Sequence, residues 1–243
     1  MPSSPSRETR LRALIARPFA HRGLHGGGRI ENSRAAFEAA IAAGNGIELD
    51  VQASADDQAM VIHDYDLERL TGAAGAVRTL GAAELGRIRL KSSDETIPAL
   101  TEILGLVAGK AGLLIEVKSP DRHPVALSRA VADALAGYKG NVAVMSFNPE
   151  VGHWFARHAP EVLRGLVVTE QGKGWRGFFE RWLALWRARP DFLAYDIRDL
   201  PSRFAASARD RGLPVLTWTV RTLKDRARAA EHADQIIFES EKR

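Results

Sequence analysis

The chain has 243 residues, 34 Lys plus Arg against 30 Asp plus Glu for a formal net charge of +4, 45% hydrophobic residues and no Cys. That length can bury a sizeable core as one large domain or two small ones, and the composition speaks against long disorder, collagen or a coiled coil. Without Cys there are no disulfides, thiolate zinc sites or cysteine nucleophiles, so the chemistry must rest on His, carboxylates, Lys, Arg or hydroxyls, and a metal would take oxygen or imidazole ligands.

The first residues carry only a short apolar stretch broken by Arg12 and Arg17, too short for a secretory signal. No apolar run approaches the roughly 18 residues of a spanning helix, so a cytoplasmic protein is expected. The charge excess is small and spread as Arg over helical segments, not gathered in a basic stripe, so no nucleic-acid partner is expected.

In chain order, β-type apolar runs fall at 17–21, 46–52, 112–118, 141–147, 163–168, 191–197, 214–220 and 235–239. Helical stretches at 33–43, 100–108, 124–138, 149–158, 174–189, 202–211 and 223–232 lie between most neighbours. Strand alternating with helix eight times over this length reads as an α/β (β/α)8 TIM barrel, with no linker or composition break to divide residues 1–243.

One segment departs from the alternation. The turn-like stretch 54–58 leads into another apolar run at 59–63, and about six residues cannot carry a parallel crossover, so this run must return antiparallel as a hairpin arm. A turn centred between Asp56 and Asp57 would set His63 across from Asp50. The glycine-punctuated stretch 67–98 then reads as a small insertion at the barrel rim.

Strand residues i and i+2 share a face, so Glu48 and Asp50 in GIELDV point the same way, as do Glu116 and Lys118 in LLIEVK. Adjacent carboxylates inside a barrel cost on the order of several kcal/mol unless a cation sits between them. Glu48, Asp50 and Glu116, at the C-terminal ends of neighbouring strands, make the hard oxygen set expected for Mg2+ or Ca2+. The competing account pairs them with Arg22 and Lys118 instead.

His21 and Arg22 end the first strand, and His63 and Asp64 end the hairpin arm. Both histidines fall where a barrel places its active site, and a His pair beside a bound anion can serve as general base and general acid near neutral pH. Asp64 either orients His63 or caps the loop. His123, His153, His158 and His232 read as packed or capped residues.

The segments HRG at 21–23, EN at 31–32, IELDV at 47–51, VIHD at 61–64 followed by Leu67, Arg69 and Thr71, IP at 97–98, IEVK at 115–118 and TWTV at 217–220 together resemble the glycerophosphodiester phosphodiesterase family. Each is weak alone, but their order and spacing cover essentially the whole chain. The resemblance implies a TIM barrel with a small insertion after the HD motif and hydrolysis of a small-molecule glycerophosphodiester to an alcohol and glycerol 3-phosphate. It implies a divalent cation, Mg2+ or Ca2+, on Glu48, Asp50 and Glu116, a catalytic pair in His21 and His63, and no obligatory protein partner. By the same resemblance Arg22 and Lys118 hold the phosphate and Trp218 forms a wall on the glycerol side. Glu31 and Asn32 match the family's PENT segment, with Ile30 for its Pro and Ser33 for its Thr, and Arg221 stands where the family commonly has Asn after TWTV.

Two other readings share these residues. Lysophospholipase D-like and sphingomyelinase D-like proteins carry a similar barrel with HRG and ELDV-type motifs. A barrel that binds phosphodiesters without turnover is the third, and the intact His pair speaks against it, because a binder needs no two titrating groups. Separately, GWRGFFERWLALW sets Trp175, Phe178, Phe179, Trp182 and Trp186 at helical spacing, with Arg176, Arg181, Arg187 and Arg189 among them. Such a stripe is expected to pack on the barrel. The alternative is an apolar groove or a peripheral membrane contact, which would favour a lysophospholipid substrate.

Overall fold

The computed structural model describes residues 5–119, 124–174 and 176–240. Eight parallel strands close a barrel in the order β1 (Phe19–Ala20), β2 (Gly46–Ala53), β4 (Leu113–Val117), β5 (Val142–Ser146), β6 (Leu163–Val168), β7 (Phe192–Asp196), β8 (Val215–Val220) and β9 (Gln235–Phe238), with β9 bonded back to β1. A short antiparallel strand, β3 (Ala59–Val61), hangs on the far end of β2. The barrel helices are α2 (Arg34–Ala42), α5 (Leu100–Val107), α6 (Val125–Leu135), α7 (Pro149–His158), α8 (Arg176–Ala188), α9 (Arg203–Asp210) and α10 (Leu223–His232). The TIM barrel expected from the alternation is thus the observed fold, and every strand lies within its expected run or extends it by one residue.

Strand alternation divides the apolar residues between two cores. Ile47, Leu49, Val51, Leu113, Ile115 and Val117 face outward, under the helices. Phe19, Leu114, Ala143, Met145, Phe192, Leu216 and Ile237 fill the barrel interior. Each fully buried side chain of this size contributes roughly 1.5–3 kcal/mol.

A helix not anticipated from the sequence, α1 (Arg7–Leu14), joins the interior core through Leu11 and Leu14. Arg7 anchors it, pairing with Asp191 and donating to the Pro160 carbonyl at 2.5 Å and the Val162 carbonyl at 2.8 Å. The helix thereby stoppers the N-terminal end of the barrel.

The segment after the hairpin carries α3 (Glu68–Thr71), a 3-10 turn (Val77–Thr79) and α4 (Ala82–Leu85). Met60, Ile62, Leu67, Leu70, Val77, Leu85, Leu90 and Ile97 form a small core of their own there. The hairpin register corrects the expectation by one residue. Val51 pairs with Val61 and Ala53 with Ala59, so Ile62, not His63, faces Asp50. The turn spans five residues, with Asp57 in the left-handed region (φ 57°) and the Ser54 hydroxyl accepting from Gln58 N, which moves its centre onto Asp56. His63 sits just beyond the ladder, its carbonyl held by the Gln52 amide at 2.7 Å. Among the described residues, no helix is long and apolar enough to cross a membrane.

Candidate active site

Because β1 is only two residues long, the edge of β2 beside it would be left bare where the carboxylates sit. Buried backbone groups need partners, and the loop after β1, with the residue following β3, supplies them. Gly23 N donates to the Glu48 carbonyl (3.2 Å), the Asn32 side chain accepts from Asp50 N (3.3 Å), and Ile62 N donates to the Asp50 carbonyl (3.1 Å). To do this the loop turns sharply. Arg22 and Asn32 both lie in the left-handed region, φ 54° and 56°, a conformation costing about 1–3 kcal/mol for a non-glycine residue. Gly23 follows at φ 78°, where a Cβ would come within 2.9 Å of Ala36. Hydrogen bonds to the carboxylates offset the strain: Arg22 N donates to Glu48 Oε2 at 2.9 Å, and Asn32 Nδ2 to Asp50 Oδ2 at 3.0 Å.

Glu48, Asp50 and Glu116 are all buried and each offers an oxygen within 4.8 Å of the others. Parallel pairing sets Asp50 beside Glu116. Both accounts of these carboxylates hold in part. Lys118 Nζ lies 2.6 Å from Glu116 and 3.0 Å from Asp50, and Arg22 Nε lies 3.2 Å from Asp50. Burial opposes the charge of Asp50, but Lys118 and Arg22 outweigh it and hold its carboxyl well below the usual range. Glu48 has no such cation of its own. Burial, then the neighbouring charges of Asp50 and Glu116, push its carboxyl well up, and its Oε1 is buried without a hydrogen-bond partner among the described residues. Two cations thus face three carboxylates, and the remaining oxygen-only position fits a hard divalent cation held by Glu48, Asp50 and Glu116.

The two histidines flank this cluster in one cleft of about 490 Å³, lined also by Arg22, Lys118, Phe147 and Trp218. His21 Nδ1 lies 2.7 Å from Glu239 Oε1, and Arg221 grips Glu239 with both Nε and Nη2, at 2.7 and 2.8 Å. His63 Nδ1 lies 2.7 Å from Asp64 Oδ1, and Arg69 joins Asp64 to Glu31, which Arg22 also holds at 2.8 Å. Each imidazole is therefore backed by a carboxylate, and each carboxylate by an arginine. Asp64 orients His63, as one of its two expected roles had it. Burial lowers the proton affinity of both imidazoles, and the backing carboxylates Glu239 and Asp64 oppose that effect.

Sequence reasoning missed Glu239 and Asp196. Asp196, buried at the C-terminal end of β7, is gripped by Arg198 and lines the cleft. Their one signal is position: each is an acid ending a barrel strand. Arg221, which departs from the family's usual Asn, proves to be the partner of Glu239. Trp218 stands edge-on to Phe147 at 5.5 Å, its indole N–H donating to the Ala194 carbonyl at 2.9 Å, so its ring plane is fixed.

The aromatic helix corrects another expectation. Among its described residues, α8 turns Gly177, Arg181 and Ala188 inward, while Phe178, Phe179 and Trp186 are exposed by 47%, 64% and 67%. Small residues explain this: a Cβ on Gly152 of α7 would meet Ala188 at 2.9 Å, so the two helices touch too closely to admit rings between them. Trp182 alone of the described aromatics packs inward, 5.2 Å from Phe204. Phe147 and Tyr65 at the mouth are also about half exposed, at 45% and 48%. His158 stacks on Trp154, and His232 lies 3.5 Å from Glu231, both away from the cleft as expected. His123 and Trp175 lie outside the described residues.

A TIM barrel whose mouth combines buried carboxylates, Arg22 and Lys118 with two carboxylate-backed imidazoles points to a class, the hydrolases of phosphoric esters. Comparison with known proteins narrows it. The model of the glycerophosphoryl diester phosphodiesterase family matches residues 21–236, which include His21, His63, Glu48, Asp50, Glu116, Arg22, Lys118 and Trp218 but not Glu239. The chain belongs to that family, and it is a phosphoric diester hydrolase. Its relatives include YhdW of Bacillus subtilis strain 168, 30% identical over 86% of this chain and 88% of its own. A glycerophosphodiester phosphodiesterase of Caldanaerobacter subterraneus is 28% identical over 82% of this chain and 83% of its own. Among solved structures, a glycerophosphodiester phosphodiesterase of Thermotoga maritima superposes with TM-score 0.73 at 26% identity, covering 90% of this chain and 92% of that one. An Oleispira antarctica phosphodiesterase, in complex with its product sn-glycerol-3-phosphate, superposes with TM-score 0.81 at 23% identity, covering 93% and 94%.

Proposed function

We propose that this phosphodiesterase cleaves glycerophosphodiesters to an alcohol and glycerol 3-phosphate, with His21 and His63 as its acid–base pair and Mg2+ or Ca2+ on Glu48, Asp50 and Glu116. The observation that carries this reading is the placement of two carboxylate-backed imidazoles in the same cleft as three buried carboxylates that have, among the described residues, two cations between them. When bound, the divalent cation supplies positive charge that polarises the phosphoryl oxygens.

The remaining work falls to side chains of the chain itself. Arg22 and Lys118 bind the phosphate, the guanidinium as a fork and the ammonium as a point charge. One imidazole takes the proton of the attacking oxygen, from water or from the substrate's neighbouring hydroxyl, and the new O–P bond forms. The other, as an imidazolium paired with its backing carboxylate, gives its Nε2 proton to the departing alkoxide as the old P–O bond breaks, and where the neighbouring hydroxyl attacks, water then opens the cyclic phosphate to glycerol 3-phosphate. Glu239 and Asp64 fix the ring orientation and tautomer of His21 and His63, as the buried Asp of a catalytic triad does. Trp218 and Phe147 wall the glycerol side. Turnover of glycerophosphocholine, followed by release of glycerol 3-phosphate, tests the reading; a folded, Mg2+-loaded protein without turnover would sink it.

A second substrate class is favoured by the exposed apolar residues Tyr65 and Phe147 at the mouth, with Phe178 and Phe179 exposed in the first turn of α8, the helix that follows the C-terminal end of β6, as a candidate continuation of that rim. They suit a lysophospholipid whose acyl chain leaves the cleft across that rim, and with it a peripheral membrane contact.

A further inference from the structure

His25 follows the HRG turn and takes no part in the reaction outlined above. Its Nε2 is buried and has no hydrogen-bond partner among the described residues. The nitrogen does have neighbours: His21, His25 and Glu239 each offer a ligand atom within 4.8 Å of the others. Two imidazole nitrogens and a carboxylate oxygen this close together can turn their lone pairs on one cation.

We propose that His21, His25 and Glu239 form a second metal site at the mouth, which takes a borderline cation of the Zn2+ type and switches catalysis off when filled. Two imidazoles and one carboxylate are a set that binds Zn2+, at about 2.0–2.2 Å from each ligand, whereas Mg2+ and Ca2+ favour sets of oxygens alone. The cleft therefore sorts cations by chemistry, the hard ion to Glu48, Asp50 and Glu116 and the borderline ion to the histidine side. Glu239 lies on the Nδ1 side of His21, so a cation shared by the two takes Nδ1 and sends the ring proton to Nε2. A ring in that state cannot accept a proton at the nitrogen opposite Glu239. Filling the site also releases Arg221, which is 56% exposed and is held only by a screened pair at the cleft edge. The metal-binding part stands on geometry alone, and the inhibition rests on the role proposed for His21.

The test uses the whole chain with saturating Mg2+. Equilibrium dialysis against Zn2+ should find one bound ion, and His25→Ala and His25→Gln should each weaken its binding by at least about tenfold, as loss of one of three protein ligands does. Both variants should keep the wild-type melting temperature and zinc-free kcat/KM. Zn2+ should inhibit the wild type over the range in which it binds, and excess Mg2+ should not relieve that inhibition. Wild-type Zn2+ affinity in both His25 variants would overturn the site, as would relief by Mg2+, which would place the ion on the carboxylates. Zinc binding that depends on His25 but leaves turnover intact would keep the site and overturn the role of His21.

Discussion

Glu239 Oε1 lies 2.7 Å from His21 Nδ1, although 218 positions separate the two residues. The contact joins the last strand of the barrel to the first, so closure of the barrel itself assembles this half of the acid–base pair. Glu239→Gln should keep the fold and lower kcat by roughly 100-fold or more with KM little changed, because the lost carboxylate fixes tautomer and orientation without touching substrate. Arg221→Gln should cost less, its pair with Glu239 being partly exposed. Steady-state kinetics of the two variants decide the matter, and a Glu239→Gln defect confined to KM would count against the positioning role.

His21→Ala and His63→Ala should each lower kcat by roughly 100-fold or more. A nitrophenyl ester, whose leaving group departs without a proton, should rescue the variant that lacks the general acid and leave the other impaired. Equal rescue of both would show that the duties are not divided.

Activity should vanish in EDTA and return with Mg2+ or Ca2+. Stability in the chelator should run the other way for one variant. Burial first, and then Asp50 and Glu116, raise the folded-state pKa of Glu48 above its unfolded value, so above pH 4.5 the folded protein binds more protons than the unfolded chain. Stability therefore falls as pH rises through that interval. Glu48→Gln should accordingly raise the melting temperature of the metal-free protein at pH 8, with a gain that shrinks towards pH 4.5. For a chain of this length each kcal/mol appears as about 2–4 °C. A variant less stable than wild type at pH 8 would contradict the unpaired-charge account.

Trp182 and Trp186 should behave differently despite lying on one helix. Trp182→Ser removes a ring packed on Phe204 and should cost on the order of 2–4 kcal/mol, read as lower thermal stability with either substrate. Phe179→Ser and Trp186→Ser change exposed rings and should shift stability by no more than about 0.5 kcal/mol. If the rim takes an acyl chain, at about 0.8 kcal/mol per buried methylene, Phe179→Ser should raise KM for a lysophospholipid but not for glycerophosphocholine, and Trp186→Ser, at the far end of the helix, should change neither.

The barrel was legible because its strands are short apolar runs bounded by Gly, Pro and charge. GIELDV and LLIEVK also show their inward acids by alternation alone. What escaped depended on distant or subtle partners. Leu11 and Leu14 are two apolar residues in a polar helix and carry no clear period. The face of α8 is decided by Gly152 on another helix, and a stripe of rings in one segment says nothing of how near its neighbour comes. Glu239 looks like any acid near a chain end until the barrel closes. The one-residue slip at the hairpin arose from Asp57, whose left-handed backbone lengthened the turn.

The stopper formed by Leu11 and Leu14 makes the cleft a cul-de-sac. Cation, substrate, water and both products share one doorway, so whatever lies deepest leaves last and stands in the path of the next arrival. In a vessel of that shape, exit and entry use the same path, so traffic as well as bond-breaking can set the pace of turnover.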